Sequence, residues 1–229
     1  MFFQDNNQFS KEKFFNAVSD ENQLEIERQL NLPGANVNVT TQVFLGHETA
    51  LHVLTIDGNA NIELLNFLLD RGLDWNILNE DGETGMHFTA IYDDVDAANV
   101  LLERGASFEV RCYKNRTPLH LAARHYSPDM LAFLLQNGAD IHATDNDGNT
   151  PLHLLVLELE DIYLYNDNDD IDEALADVRL LLDNGANITI VNNDGNTAFD
   201  LLTKPSELKQ LLEETLIEQC TDNITGIHL

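Results

Sequence analysis

The sequence predicts an all-α fold: a solenoid of stacked helix–turn–helix units, with β-hairpin-like fingers between them and helical caps at both ends. Three observations carry this expectation. A four-residue phrase recurs at Thr49-Ala50-Leu51-His52, Thr84-Gly85-Met86-His87, Thr117-Pro118-Leu119-His120, Thr150-Pro151-Leu152-His153 and Thr197-Ala198-Phe199-Asp200, in steps of 35, 33, 33 and 47 residues. A glycine (Gly72, Gly105, Gly138 or Gly185) precedes each of the last four phrases by 12 residues. Between phrase and glycine, apolar residues such as Leu119, Leu121, Ala122, Met130, Leu131, Leu134 and Leu135 fall at helical spacing. One such unit cannot bury its apolar faces alone, so the units must stack.

Each mark has a local reason. Threonine caps the free amides at a helix start, and proline suits the first helical position, where its missing N–H is not needed. Small Ala122 and Ala123 let neighbouring units approach. Gly138 ends the second helix, where a left-handed residue is required. Asp147-Gly148 and Asp194-Gly195 are turn dipeptides for the finger tips. Thr117-Pro118-Leu119-His120, then Ala122-Ala123, an apolar run and Asn137-Gly138-Ala139-Asp140, closely resembles the ankyrin repeat. The resemblance covers roughly residues 10 to 218. It implies a single array that binds a partner protein through its finger tips and concave face. It also implies that the recurring histidine bonds within its own repeat and to neighbouring loops.

In chain order, Ser10 is positioned to cap a helix running to about Ser19, with Phe14, Phe15, Ala17 and Val18 inward. A second helix, about Asn22 to Leu32, carries Leu24, Ile26 and Leu30. Residues 10–48 thus read as an N-terminal cap. Its finger is three residues longer than the others and places Val43, Phe44 and Leu45 at the tip. Those side chains either form an interface or fold back onto the array.

Repeats follow at about 49–83, 84–116, 117–149 and 150–196. In the first, Trp75 stands where the family packs Val or Ile inward, and core burial is expected. In the second, Gly85 replaces the helix-starting proline, which weakens that start. The fourth holds an acidic insertion at about 159–172, expected as a solvated loop with its first helix lengthened through Tyr163 or Tyr165. Its carboxylates do not match the EF-hand calcium loop, lacking the glycine and the closing glutamate. The last copy, 197–218, closes the array: Lys204-Pro205 ends its first helix, Ser206 caps the next, and Leu208, Leu211, Leu212, Leu216 and Ile217 form an apolar stripe. Residues 219–229 read as a loose tail.

Positive charge concentrates in one place. Arg111, Lys114, Arg116 and Arg124 are four of only twelve basic residues. The family resemblance puts Tyr113, Lys114, Arg116, Arg124 and His125 on the concave face, with Tyr92 beside them. Phe44 and Leu45 complete the candidate partner-binding set. Glu80, Asp81, Glu83, Asp147 and Glu158 would wall the patch. Alternatively, the basic residues pair with these neighbours and only neutralise the surface. On the binding reading, Arg116→Glu with Arg124→Glu abolishes binding and leaves the melting temperature nearly unchanged.

The net charge of −28, with 40 acidic residues, argues against nucleic acid as a partner. It suits a basic or mixed-charge protein, or serves only solubility. No run of about 18 apolar residues offers a membrane span. Met1-Phe2-Phe3-Gln4-Asp5 lacks the basic start and apolar block of a secretory signal. Cys112 and Cys220 are expected as free thiols, and the location as cytoplasmic. His52, His87, His120 and His153 recur once per repeat, at a helix spacing of roughly 8–10 Å, too far apart to share a zinc ion. No catalytic motif, metal site or cofactor site is expected. The reading is a monomeric interaction scaffold, with a regulatory or inhibitory subunit that covers an enzyme's active site as the alternative. The glutamates Glu213, Glu214 and Glu218 before Ile227-His228-Leu229 are similar to C-terminal signals of effectors that intracellular bacteria deliver into the host cytosol.

Overall fold

The computed structural model describes residues 8–40, 48–56, 58–165, 171–203 and 207–225, and within these the side chains outside 160–165, 171–174, 207 and 218–225. The tip residues Val43, Phe44 and Leu45 and the Lys204–Ser206 stop-and-cap segment lie outside the described residues. The chain divides into two compact units, Met1–Tyr113 and Lys114–Leu229, and the division falls within a finger rather than between copies.

The first unit holds α1 (Lys11–Ser19), α2 (Gln23–Leu30), α3 (Ala50–Thr55), α4 (Ile62–Asp70), α5 (Gly85–Ile91) and α6 (Val95–Glu103). Here α1 packs on α2 and α3, α3 on α5, α4 on α6, and α5 on α6. The core is Phe14, Val18, Ile26, Leu51, Leu65, Leu68, Met86 and Leu101, all at 1% exposure or less. The second unit holds α7 (Pro118–Arg124), α8 (Pro128–Gln136), α9 (Pro151–Tyr165), α10 (Ile171–Asp183) and α11 (Glu207–Thr225). In it α7 packs on α8 and α9, α8 on α10, and α9 on α10, around Leu119, Met130, Leu131, Leu155, Val178 and Leu181. Ala122 and Ala123 are fully buried, as the close approach of neighbouring helices requires.

The recurrent phrase is a capping box with histidine in the usual glutamate position. Nδ1 of His52, His87, His120 and His153 accepts the backbone N–H of Thr49, Thr84, Thr117 and Thr150 at 3.0–3.2 Å. The threonine hydroxyl accepts the histidine's own backbone N–H in all four copies. Because Nδ1 is the acceptor, Nε2 carries the proton in these neutral rings. It donates to Glu83 O from His52, to Asn149 O from His120 and to Asn196 O from His153, at 3.1–3.3 Å. Each of these histidines therefore binds its own helix start and the end of the following finger.

Asp200 takes over the first half of this task. Its Oδ2 accepts from Thr197 N at 2.9 Å and Thr197 Oγ1 at 2.6 Å, and these bonds hold its carboxyl below the usual range. The helix expected after it does not form. Residues 198–201 are a turn, closed by Asp200 N on Thr197 O. Pro205 disfavours helical backbone at the residue before it, which leaves too short a run for a stable helix.

Other expectations also change. Trp75 is half-buried, while the smaller Val37 and Ile188 fill the equivalent slots at 7% and 1% exposure. Phe108 and Ile141 are half-buried in the same slot of the next two copies, so the slot is only partly enclosed there whatever residue fills it. At Gly85, α5 starts where expected, capped by Thr84 and His87. The glycine serves packing, since a Cβ there would lie 2.1 Å from Leu51 Cδ2. The first helix of the fourth copy is lengthened through Tyr165 as expected, and the described residues of the acidic insertion, 159–165 and 171–172, are helical. α9 has 15 residues and α10 has 13, against 7 in α7 and 9 in α8, so the extra chain lengthens both helices. The loose tail is corrected for residues 219–225, because α11 continues to Thr225. No proline or glycine interrupts the sequence between Ser206 and Gly226.

Candidate protein-binding face

Three of the fingers are each built by one buried Asx residue. The side-chain oxygen of Asn79 accepts N–H groups from Asp81 and Glu83 at 2.9 and 2.8 Å. Asp145 serves Asp147 and Asn149 in the same way, and Asn192 serves Asp194 and Asn196. A backbone bond from the same residue closes each turn: Asn79 N to Glu83 O, Asp145 N to Asn149 O, Asn192 N to Asn196 O. Backbone bonds join neighbouring tips, Tyr113 N to Asp81 O, Asn146 N to Lys114 O and Asn193 N to Asp147 O. The described fingers are therefore hairpin-like turns, and no strand forms among the described residues. In the 105–116 finger, Cys112 holds the Asx position as a buried free thiol, and Asn115, at φ +60°, stands where the others have glycine.

In the first unit, Tyr113 is 67% exposed. Its ring rests on Gly82, where a Cβ would come within 2.5–2.8 Å of the ring atoms. Gly82 has φ +76°, so the turn and the ring both require glycine there. Glu80 and Asp81 are exposed beside it, and Leu78 in the same finger is 44% exposed. Tyr92 is half-buried and packs on Phe88 at 5.9 Å between centroids, while Phe88 packs edge-on against His52 at 4.6 Å. Tyr92 is thus partly committed to the core.

In the second unit, Lys114 is exposed, but Arg116 is not. Arg116 Nε donates to Asp145 Oδ2 at 3.1 Å, with the two side chains 11% and 1% exposed. Asp145 therefore orders its finger through Oδ1 and holds the arginine through Oδ2. Arg124, at the end of α7, donates to Glu158 Oε1 at 2.7 Å and keeps over a third of its side chain open. His125 is exposed at the helix end, and partial burial, then the Arg124 charge, lower its pKa. Two arginines of the expected basic patch are thus paired within this unit, one inside the fold and one at its surface. Phe44 and Leu45 fall outside the described residues.

In the first four copies the recurring threonine and histidine are buried, as are Asn79, Asp145 and Asn192 of the fingers, while several residues that vary at tips and helix ends are open. The model described as ankyrin repeats (3 copies) matches residues 14–112, 56–145 and 107–165, and the model described as ankyrin repeat matches 147–193. The chain belongs to the ankyrin-repeat family. No curated protein matches it. The Thr-x-x-His boxes, Asx-ordered fingers and paired helices are thus the ankyrin framework, an all-α repeat fold that generally mediates protein–protein interaction. Among the described residues, no helix is long and apolar enough to cross a membrane. Sequence reasoning missed two exposed apolar side chains of the fingers, Leu78 and Val191 at 44% and 55%. Alignment by the glycine marker would have found Leu78 and Val191, which occupy the same finger position.

Proposed function

We propose that this ankyrin chain is a non-enzymatic, cytoplasmic scaffold that binds a partner protein through its finger tips and the ends of its first helices. One observation supports this reading above others: the threonine and histidine of the first four phrases and the Asx residues of the fingers are buried, while Tyr113, Lys114, His125, Leu157 and Val191 are open side chains of differing type. A surface that varies from copy to copy on a fixed frame suits recognition. Of the basic residues, Lys114 and Arg124 fit a contact role, whereas Arg116 serves the finger it lies in.

The test is affinity capture with wild type, Tyr113→Ala, Arg124→Glu and, as a control on α1, Lys13→Glu. A partner retained by the control and lost from either of the first two variants supports the reading. Equal capture by all four overturns it. A captured enzyme that loses activity on binding would select the inhibitory alternative.

Delivery into a host cell rests on Glu213, Glu214 and Glu218 together with Ile227-His228-Leu229. Deleting residues 210–229 is a poor test, because it removes fully buried Leu212. Glu213→Gln with Glu214→Gln, both exposed on α11, keeps the fold; equal delivery of variant and wild type in a secretion reporter overturns a role for these two glutamates.

A further inference from the structure

The finger tip of the first unit combines an open aromatic ring with carboxylates. Residues 1–113 hold 19 acidic and 6 basic side chains. Tyr113 is braced on Gly82 and tied to the tip by its own N–H on Asp81 O at 3.0 Å. A ring held this way loses little freedom on contact, which favours it as an anchor. Asp81 and Glu80 are exposed next to the ring, and half-exposed Glu83 accepts from Asn79 Nδ2 at 2.9 Å. Leu78 adds an open apolar side chain to the same finger. Arg111, exposed on the finger that carries Tyr113, is the opposing charge.

Aromatic faces attract cations, and the attraction grows when carboxylates flank them. An acidic segment would meet like charge here, and so would a second copy of this chain, whose net charge is −28. We infer that Tyr113, Asp81 and Glu80 form a cation-accepting platform that takes a lysine or arginine side chain from a partner segment carrying an adjacent apolar residue. This deepens the finger-tip reading above and rests on it.

The probe is a set of three synthetic peptides of one length sharing the same leucines, with arginine, glutamine or glutamate at the remaining positions. Each is titrated into the isotope-labelled full chain and followed by amide-resolved NMR. The arginine peptide is expected to shift amides at 78–83 and 113. Tyr113→Ala and Asp81→Asn should each weaken it about three- to tenfold, Tyr113→Phe should not, and added salt should weaken it further. Both weakened positions are exposed, so the variants keep the fold, which their melting curves check.

Equal binding of the glutamine or glutamate peptide at the same amides would overturn the charge inference and leave the finger-tip reading standing. Shifts from the arginine peptide spread over acidic residues throughout the chain, and unchanged in Tyr113→Ala, would overturn it as general attraction to an acidic protein. No shift at 78–83 or 113 from any peptide would overturn both readings of this finger.

Discussion

Arg116 Nε lies 3.1 Å from Asp145 Oδ2, and the pair is almost wholly removed from solvent. Removing one member of a buried pair leaves the other charge uncompensated, a loss of about 3–5 kcal/mol. Arg116→Ala should therefore lower stability by about that much in urea titration, contrary to the sequence expectation that changing this arginine leaves the melting temperature nearly unchanged. Arg116→Met with Asp145→Asn should recover most of it, because asparagine keeps the Oδ1 acceptor of the finger. A loss below about 0.5 kcal/mol for Arg116→Ala would mean the pair contributes little.

Arg124 behaves differently. Its bond to Glu158 is partly exposed, and such pairs contribute about 0–1 kcal/mol. Arg124→Ala should hold its melting temperature within a few degrees of wild type. This makes Arg124, and not Arg116, the arginine whose replacement reports on partner binding. A large destabilisation of Arg124→Ala would reverse that assignment.

Asp94 is 3% exposed and joins two copies. Its Oδ1 accepts Ala97 N at 2.9 Å, capping α6, and its Oδ2 accepts Ala60 N of the preceding copy at 2.8 Å. Asp94→Ala removes a cap and strands a buried N–H, together about 2–4 kcal/mol. Hydrogen exchange should then quicken at Ala60 as well as at Ala97. Faster exchange at Ala97 alone would show that the link to Ala60 is not formed.

The chain should lose stability in acid through its capping histidines. Burial drives His52 down to about 4 and also lowers His153. Unfolded, both titrate near 6.5. A folded pKa below the unfolded one means that the contribution is whole above about pH 6.5. It falls as pH drops through the window toward 4, where the unfolded chain binds protons that the folded chain excludes. For His52 the loss is about 3 kcal/mol. Because acid also relieves repulsion in so acidic a chain, the measurement is a difference. The stability gap between wild type and His52→Gln should shift against wild type between pH 7 and 5. A gap independent of pH would count against a buried neutral His52.

At Gly85, local rules and packing oppose each other. Proline at the first helical position helps in the copies that start at Pro118 and Pro151. In α5 it would strike Leu51, so Gly85→Pro should destabilise by about 1–3 kcal/mol. Leu51→Ala should offset part of that loss in a double-mutant cycle, with coupling of about 1 kcal/mol. Strict additivity would show that Leu51 is not the obstacle.

The framework was legible because each repeating mark answers a local demand. Threonine and histidine close a capping box, and glycine allows a left-handed helix end. These demands are written within a few residues of each other. What the sequence concealed depends on partners from other copies. The phase of the repeat put Arg116 beside a finger, but not that Asp145 draws it inside. It named Tyr113, but not Gly82 as its seat. Gly85 read as a weak helix start because Leu51 lies 34 residues away. Trp75 read as core from its type, although in its copy, as at Phe108 and Ile141, that slot is only partly enclosed.

Asp200 has a consequence for the length of the array. It accepts from Thr197 as a histidine would, yet a carboxylate has no N–H with which to hold the carbonyl of a following finger. In the other copies that finger follows a second helix of 9 to 13 residues, whereas α11 runs for 19 residues to Thr225. The substitution works as a terminator. It keeps the signal that opens a copy and deletes the one that recruits the next. Grafting a further copy after residue 201 should therefore require Asp200→His for the added segment to dock, which makes a single side chain the punctuation that ends the series.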